Sequence, residues 1–210
     1  TVSEHLNEYG IPADAADVLT TAEASARVVG EGRVYVVGEQ PLIDTLRAHG
    51  LTVTDERPDV VLVSFDRGFT YDKLEKATVL IGNGARYVAT NPDPNLKTDR
   101  GLLPGTGAIV AAVTTACGRE PLIVGKPEAL MMRMAMEKFG FDADSTLVVG
   151  DNLRTDIASA ARAGLRTALI LTGVSGRADI EETGIRPTWV VDDFAALRTL
   201  AEGLMTEERE

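Results

Sequence analysis

Little in this sequence can crosslink, bind zinc or cross a membrane. Cys117 is the single cysteine among 210 residues, which rules out an internal disulfide and a cysteine-rich zinc site. No apolar run approaches the ~20 residues that a membrane-spanning helix needs, and no basic-then-apolar leader opens the chain. We therefore expect a cytoplasmic protein that makes no membrane contact.

Positive charge is also scarce. The chain carries 21 lysines and arginines against 32 aspartates and glutamates, which gives a formal net charge of −11 at pH 7. A protein that binds nucleic acid needs a basic face to meet the phosphate backbone, and no cluster of basic residues supplies one in this sequence. The composition therefore predicts that nucleic acid is not a partner.

What the sequence does contain is a regular alternation of β-branched runs with helical stretches. Strands are predicted over 33–38, 59–65, 86–90, 121–125, 145–150, 166–173 and 188–193, and helices over 40–50, 70–84, 106–118 and 127–140. Such alternation is typical of a mainly parallel α/β sheet covered on both faces. The segment 90–105, rich in Pro, Asn, Asp and Gly, is predicted to be a long loop, a kind that is often functional.

Two carboxylates follow a predicted buried strand in VVGDNLRTDI, residues 148–157. Gly150 allows a sharp turn before Asp151, and residues 152–155 begin the next helix, whose free N–H groups favour an anion. A carboxylate beside an anion-binding turn suits a Mg²⁺–phosphate site. The spacing leaves a simpler alternative open, in which Asp151 and Asp156 only cap the helix.

Lys126 lies in a second turn of the same kind, between the strand ending in IVG and a helix that begins near Pro127. A lysine at a helix N-terminus is electrostatically misplaced unless an anion faces it. Lys126 is therefore predicted to pair with Asp156 and to neutralise phosphate charge. The alternative is an ordinary surface lysine in a turn.

These two turns resemble motifs of a known family. GKP at 125–127, followed about 25 residues later by VVGDNLRTDI, resembles the third and fourth motifs of the haloacid dehalogenase superfamily. The match is with its NagD-like, p-nitrophenylphosphatase-type branch, to which LTGVS at 171–175 is also similar. Three further segments resemble parts of that branch's cap domain: FDRGFTYDKL (65–74), NGARYVATNPD (83–93) and GTGAIVAAV (105–113).

The resemblance implies a domain organisation and a set of residue roles. It implies a Rossmann-like parallel-sheet core at 1–20 and 119–210, with an inserted α/β cap at 21–118. Lys126 would orient the nucleophile and neutralise the phosphoryl group, Asp151 would ligate Mg²⁺, and Asp156 would hold the lysine and the water shell of the metal. The substrate-binding turn would consist of Asn152, Leu153, Arg154 and Thr155.

In the cap, the resemblance implies that Asn91 and Asp93 lie in the loop that faces the active site. Arg67 and Phe69 are weaker candidates, for which a structural role is equally open. The cap would close over a small phosphorylated substrate, exclude water and choose the leaving group. The branch is also compatible with a homodimer.

The family's nucleophilic aspartate, in a DxDGT-like motif at the end of the first strand, has no counterpart here. In the family that strand lies beside the strand carrying Asp151, so its absence would leave backbone groups unpaired. We therefore expect a fragment that is inactive alone, with a strand donated by another chain as the less favoured alternative.

The resemblance implies a Mg²⁺-dependent phosphatase that hydrolyses small phosphate monoesters through an aspartyl-phosphate. Nucleotide monophosphates, sugar phosphates and phosphoglycolate all fit the class. The alternative, favoured by the absent nucleophile, is a non-catalytic module that binds phosphate and metal without turnover. The presence of Lys126, Asp151 and Asp156 together argues against it, because a pure binder has little need of a metal-binding acid.

Overall fold

The structure is a computed structural model that describes residues 2–207. The chain divides at Gly125 and Lys126 into two compact units, called the first and second unit below. The strands are β1 Arg33–Val37, β2 Thr52–Val53, β3 Val60–Val63, β4 Arg86–Ala89, β5 Asn95–Thr98, β6 Gly101–Pro104, β7 Leu122–Ile123, β8 Leu147–Gly150, β9 Arg166–Ile170 and β10 Trp189–Val191. The helices are α1 Val2–Glu8, α2 Thr21–Val29, α3 Gln40–Ala48, α4 Tyr71–Gly82, α5 Thr106–Cys117, α6 Leu130–Phe139, α7 Ala158–Arg162, α8 Arg177–Thr183 and α9 Phe194–Glu207.

The first unit is built on a parallel five-stranded sheet in the order β2-β1-β3-β4-β7. Its central strand, β3, consists of four apolar residues that are each at most 1% exposed. A continuous apolar run of this kind is typical of a strand covered on both faces. The core on one face includes Ala77 and Ile81 of α4 and Val113 of α5, which pack with Val61 and Val63.

The second unit contains a parallel sheet in the order β10-β9-β8. In the described chain β8 is an edge strand, and its Val149 is 42% exposed. A π-helical turn, Leu153–Ile157, follows β8 and continues into α7. Leu153 and Ile157 are fully buried against Leu169 of β9, so the turn is held to the sheet by its apolar side chains.

The predicted fold class, a parallel α/β sheet protein, is confirmed. The segment 90–105 is not entirely a loop, because residues 95–104 form the antiparallel hairpin β5–β6. This hairpin was missed because its residues are almost all exposed, so they show none of the alternation that marks a half-buried strand. The strand predicted at 121–125 is shorter than expected and pairs with β4 inside the first unit.

None of the helices within residues 2–207 is long and apolar enough to cross a membrane.

The stability of the first unit is expected to fall in alkali, because Tyr87 is buried. Its hydroxyl donates to the carbonyl of Val110 at 3.1 Å, and burial raises the pKa of Tyr87 to about 12. The unfolded chain releases this proton near pH 10 while the folded chain keeps it, so this contribution is present below pH 10 and lost as pH rises towards 12.

Urea unfolding at pH 8 and at pH 11.5 tests this prediction. The free energy of unfolding of the wild type should fall by about 2 kcal/mol more than that of Tyr87→Phe, which lacks the titrating group. Tyr9→Phe is the control, since the Tyr9 side chain is 74% exposed. Equal pH dependence in the wild type and in Tyr87→Phe would contradict the prediction.

Candidate active site

Asp151 lies directly beyond the carboxyl end of β8, where ligands bind in parallel α/β sheets. The turn into it requires glycine at 150, because a Cβ there would lie 2.2 Å from Cβ of Asp156. Asp151 is half-buried. The sequence placed this residue correctly at the junction of a strand with a helical turn.

The segment after β9 holds the carboxylate of Asp151 from one side. The N–H of Val174 donates to Oδ2 of Asp151 at 3.0 Å, and the N–H of Ser175 donates to the Asp151 carbonyl at 2.9 Å. A Cβ at Gly173 would lie 2.0 Å from Oδ2, so glycine is needed for this close approach. Residues 173 and 175 were not among the predicted site residues, although their position beyond a strand's carboxyl end was a usable signal.

Lys126 and Asp156 form an ion pair, with 2.6 Å between Nζ and Oδ1. The side chain of Asp156 is 15% exposed and that of Lys126 is 41% exposed. Oδ2 of Asp156 also accepts the N–H of Asn152 at 3.3 Å, so this one carboxylate joins the lysine to the turn after β8. An ammonium group has three donors, and this pair uses one of them.

The N–H groups at the start of the turn have acceptors within the chain. The N–H of Asn152 donates to Asp156, that of Leu153 to Oγ of Ser175 at 3.0 Å, and that of Arg154 to the Asn152 side chain at 3.0 Å. These bonds stabilise the turn, so the three N–H groups are not available to an anion. The prediction of free N–H groups at residues 152–154 was therefore wrong. The side chain of Leu153 is fully buried in the core.

A D-x-D triplet does occur at Asp142 and Asp144, but it precedes β8. The Asp144 N–H donates to the Asp142 side chain at 2.9 Å, as in an Asx turn. A four-residue strand spans about 13 Å, so these acids lie at the opposite end of β8 from Asp151. They therefore cannot serve as its catalytic partners.

The residues near Asp151 fit a magnesium ion in part. Mg²⁺ prefers carboxylate oxygens, keeps several waters, and commonly uses one or two protein carboxylates together with substrate phosphate. Asp151 supplies one such carboxylate, and its Oδ1 makes no hydrogen bond within residues 2–207. The same range holds no cluster of three or more His, Cys, Asp or Glu side chains arranged around a metal position.

The candidates Asn91 and Asp93 lie in the first unit, just beyond the end of β4. The Asn91 amide donates to the Asp93 carboxylate, and the Thr90 hydroxyl donates to the Asn91 side chain at 2.9 Å. The Asp93 carbonyl accepts the N–H of Gly107 at 2.7 Å. The two side chains therefore contact each other within one turn of the first unit.

Arg67 and Phe69 line a cavity of about 460 Å³ in the first unit, which also includes Arg100 and Leu103. Arg67 donates from Nε to Glu39 at 2.6 Å, and this hydrogen bond holds the pKa of Glu39 below its usual value. The arginine therefore has a structural partner at the cavity rim.

Comparison with known proteins identifies the family of this chain. The HAD-hydrolase-like family model matches residues 123–197. Ribonucleotide monophosphatase NagD of Escherichia coli is 41% identical over 179 residues, covering 85% of this chain and 70% of NagD.

Solved structures match over most of both chains. The p-nitrophenyl phosphatase from Archaeoglobus fulgidus superposes with a TM-score of 0.89 at 33% identity, covering 93% of this chain and 79% of that one. The glycerol phosphate phosphatase from Mycobacterium tuberculosis, solved in complex with magnesium, has a TM-score of 0.85 at 39% identity and covers 93% of this chain and 63% of that one. On this evidence the chain belongs to the NagD-like phosphatases of the haloacid dehalogenase superfamily.

Proposed function

We propose that the protein catalyses Mg²⁺-dependent hydrolysis of small phosphate monoesters, with Asp151, Asp156 and Lys126 as site residues. One observation carries the proposal. The carboxylate of Asp156, whose side chain is 15% exposed, pairs with Lys126 and also accepts an N–H of the turn that presents Asp151 beyond β8. A cation and a metal-binding acid held together at the carboxyl end of a parallel strand are what transfer of a phosphoryl group requires.

Each residue has a distinct role in this proposal. Asp151 would hold the metal; its Oδ2 accepts the N–H of Val174, whereas its Oδ1 makes no hydrogen bond within residues 2–207. Bound Mg²⁺ would supply Lewis-acid stabilisation of the charge on the phosphoryl oxygens. Lys126 directs its remaining N–H donors to the phosphoryl group, while Asp156 keeps the ammonium in place.

The family resemblance implies that the reaction proceeds through an aspartyl-phosphate. The 210 residues contain no DxDGT-like motif at a strand end, and the triplet at 142–144 lies at the wrong end of β8. The nucleophile is therefore not assigned to a residue of this sequence. The proposal for the described residues concerns metal binding and charge neutralisation.

Residues 21–118, which lie within the first unit, are proposed to act as the cap that selects the leaving group. The relatives differ in the substrates for which they are named: ribonucleotide monophosphate, p-nitrophenyl phosphate and glycerol phosphate. All are small phosphate monoesters. Asn91 and Asp93 are proposed as substrate contacts because they form a half-buried polar turn beyond the carboxyl end of β4.

Phosphate release from p-nitrophenyl phosphate, by protein expressed from its complete gene, tests the proposal. We expect turnover in millimolar Mg²⁺, a fall of at least about 100-fold with EDTA, and recovery when Mg²⁺ is restored, because the metal contributes several kcal/mol to the transition state. Glycerol phosphate and a ribonucleoside monophosphate, assayed in parallel, would rank the leaving groups.

Two outcomes would contradict the proposal. An undiminished rate in EDTA would exclude a metal-dependent mechanism. Binding of Mg²⁺ and inorganic phosphate without turnover on any of the three esters would favour the alternative, a binding module that retains the site without catalysis.

A further inference from the structure

Ser175 makes two hydrogen bonds to the turn that carries Asp151. Its N–H donates to the Asp151 carbonyl at 2.9 Å, and its hydroxyl oxygen accepts the N–H of Leu153 at 3.0 Å. Ser175 is 7% exposed, so both bonds are shielded from water. With the Val174 N–H on Oδ2, the segment after β9 holds residues 151–153 at three points.

The hydroxyl of Ser175 has a specific task in this arrangement. Leu153 is fully buried, so without an acceptor its N–H would be left unsatisfied away from water. A serine supplies that acceptor with a side chain small enough to lie beside the turn. The same segment places Gly173 so close to Oδ2 of Asp151 that no side chain is tolerated there.

The hydrogen bond from Val174 to Oδ2 determines which oxygen of Asp151 is available to a metal ion. The Val174 N–H occupies Oδ2, while Oδ1 makes no hydrogen bond within residues 2–207. The carboxylate therefore presents one free oxygen in a fixed direction. Groups that orient a metal ligand in this way affect metal affinity although they never touch the metal.

We propose that Ser175 is a positioning residue for the metal-binding carboxylate of Asp151. This inference rests on the proposed function, since it assumes that Asp151 binds a divalent cation. Ser175 acts through the backbone of residues 151 and 153 and not by contact with the metal. Removing its hydroxyl releases the N–H of Leu153, loosens the turn and misdirects Oδ1.

Mn²⁺ binding, followed by the electron paramagnetic resonance signal of the free ion, tests the proposal without an activity assay. The protein expressed from its complete gene is compared with Ser175→Ala, Ser175→Thr and Asp151→Asn. We expect Ser175→Ala to weaken Mn²⁺ binding at least about tenfold, Ser175→Thr to restore it to within about threefold, and Asp151→Asn to abolish it. Hydrogen exchange of the Leu153 amide should accelerate in Ser175→Ala and return towards the wild-type rate in Ser175→Thr.

Thr188→Ala is the matched control. The Thr188 hydroxyl accepts the N–H of Thr167 at 3.0 Å, so this variant also removes a hydroxyl-to-amide hydrogen bond in the second unit. Thr167 lies near the amino end of β9, away from Asp151. Thr188→Ala should therefore bind Mn²⁺ like the wild type.

The outcomes separate this inference from the proposed function. Wild-type Mn²⁺ affinity in Ser175→Ala, with binding lost in Asp151→Asn, would overturn the role of Ser175 and leave the metal assignment standing. Wild-type affinity in Asp151→Asn would overturn both. Equal weakening in Thr188→Ala and Ser175→Ala would show general loosening and also overturn the inference. If Ser175→Ala does not fold, Ser175→Cys, with a weaker acceptor, should give intermediate affinity.

Discussion

Replacing Asp151 with asparagine is expected to lower the rate of phosphate release by about 1,000-fold or more. Asparagine keeps the size of the side chain and can still accept the N–H of Val174, so the turn should persist. The variant loses the negative charge that holds the metal. Loss of about 4 kcal/mol of charge stabilisation in the transition state corresponds to a thousandfold decrease in rate.

The measurement is kcat at saturating Mg²⁺, together with the melting temperature of the variant. Asp142→Asn is the control, because it removes the same charge at the other end of β8, where Asp142 caps a turn. We expect Asp142→Asn to keep wild-type kcat within about twofold, since the length of β8, about 13 Å, separates it from the site. Retention of the wild-type rate by Asp151→Asn, or equal losses in both variants, would remove Asp151 from the proposed site.

The second large effect is expected from Gly150→Ala, which should destabilise the protein by about 3 kcal/mol. The new Cβ would lie 2.2 Å from Cβ of Asp156 and 2.8 Å from its Cγ. Because a Cβ is fixed by the backbone, rotation of the Asp156 side chain cannot relieve this clash. The turn must shift, and the ion pair between Asp156 and Lys126 should be disrupted with it.

Differential scanning calorimetry measures this effect, and the melting temperature should fall by about 6–12 °C. Gly203→Ala is the matched control. It adds the same methyl group within α9, where no atom beyond the neighbouring residues and the backbone of its own helix lies within 4 Å of the new Cβ, and it should stabilise the helix slightly. An unchanged melting temperature in Gly150→Ala would mean that the backbone absorbs the methyl group at little cost.

The positions of Asp151 and Lys126 could be predicted from sequence because each residue follows directly on a predicted strand. Asp151 comes immediately after an apolar run and a glycine, and a parallel sheet collects such positions at one edge. Lys126 is a cation at the end of an apolar run, and an acid 30 positions away proved to be its partner. A lysine and a carboxylate in turns that each follow a predicted strand attract each other, which is why this pair could be predicted.

The hydrogen bonds of the turn after β8 could not be predicted in the same way. Reasoning from helix N-termini predicted free N–H groups at 152–155, yet those of Asn152, Leu153 and Arg154 have acceptors from Asp156, Ser175 and Asn152. The turn is π-helical, and no local pattern in LRTDI distinguishes it from an α-helix.

The sequence by itself determined the α/β class, the strand that precedes Asp151 and the family, because apolar periodicity and short motifs are local properties of the chain. Tertiary structure alone decided that Ser175 meets Leu153, that Gly173 faces the carboxylate of Asp151, and that β7 joins β4. These contacts join residues 22 to 34 positions apart in sequence, and the packing of the fold, which residue spacing does not specify, brings them together.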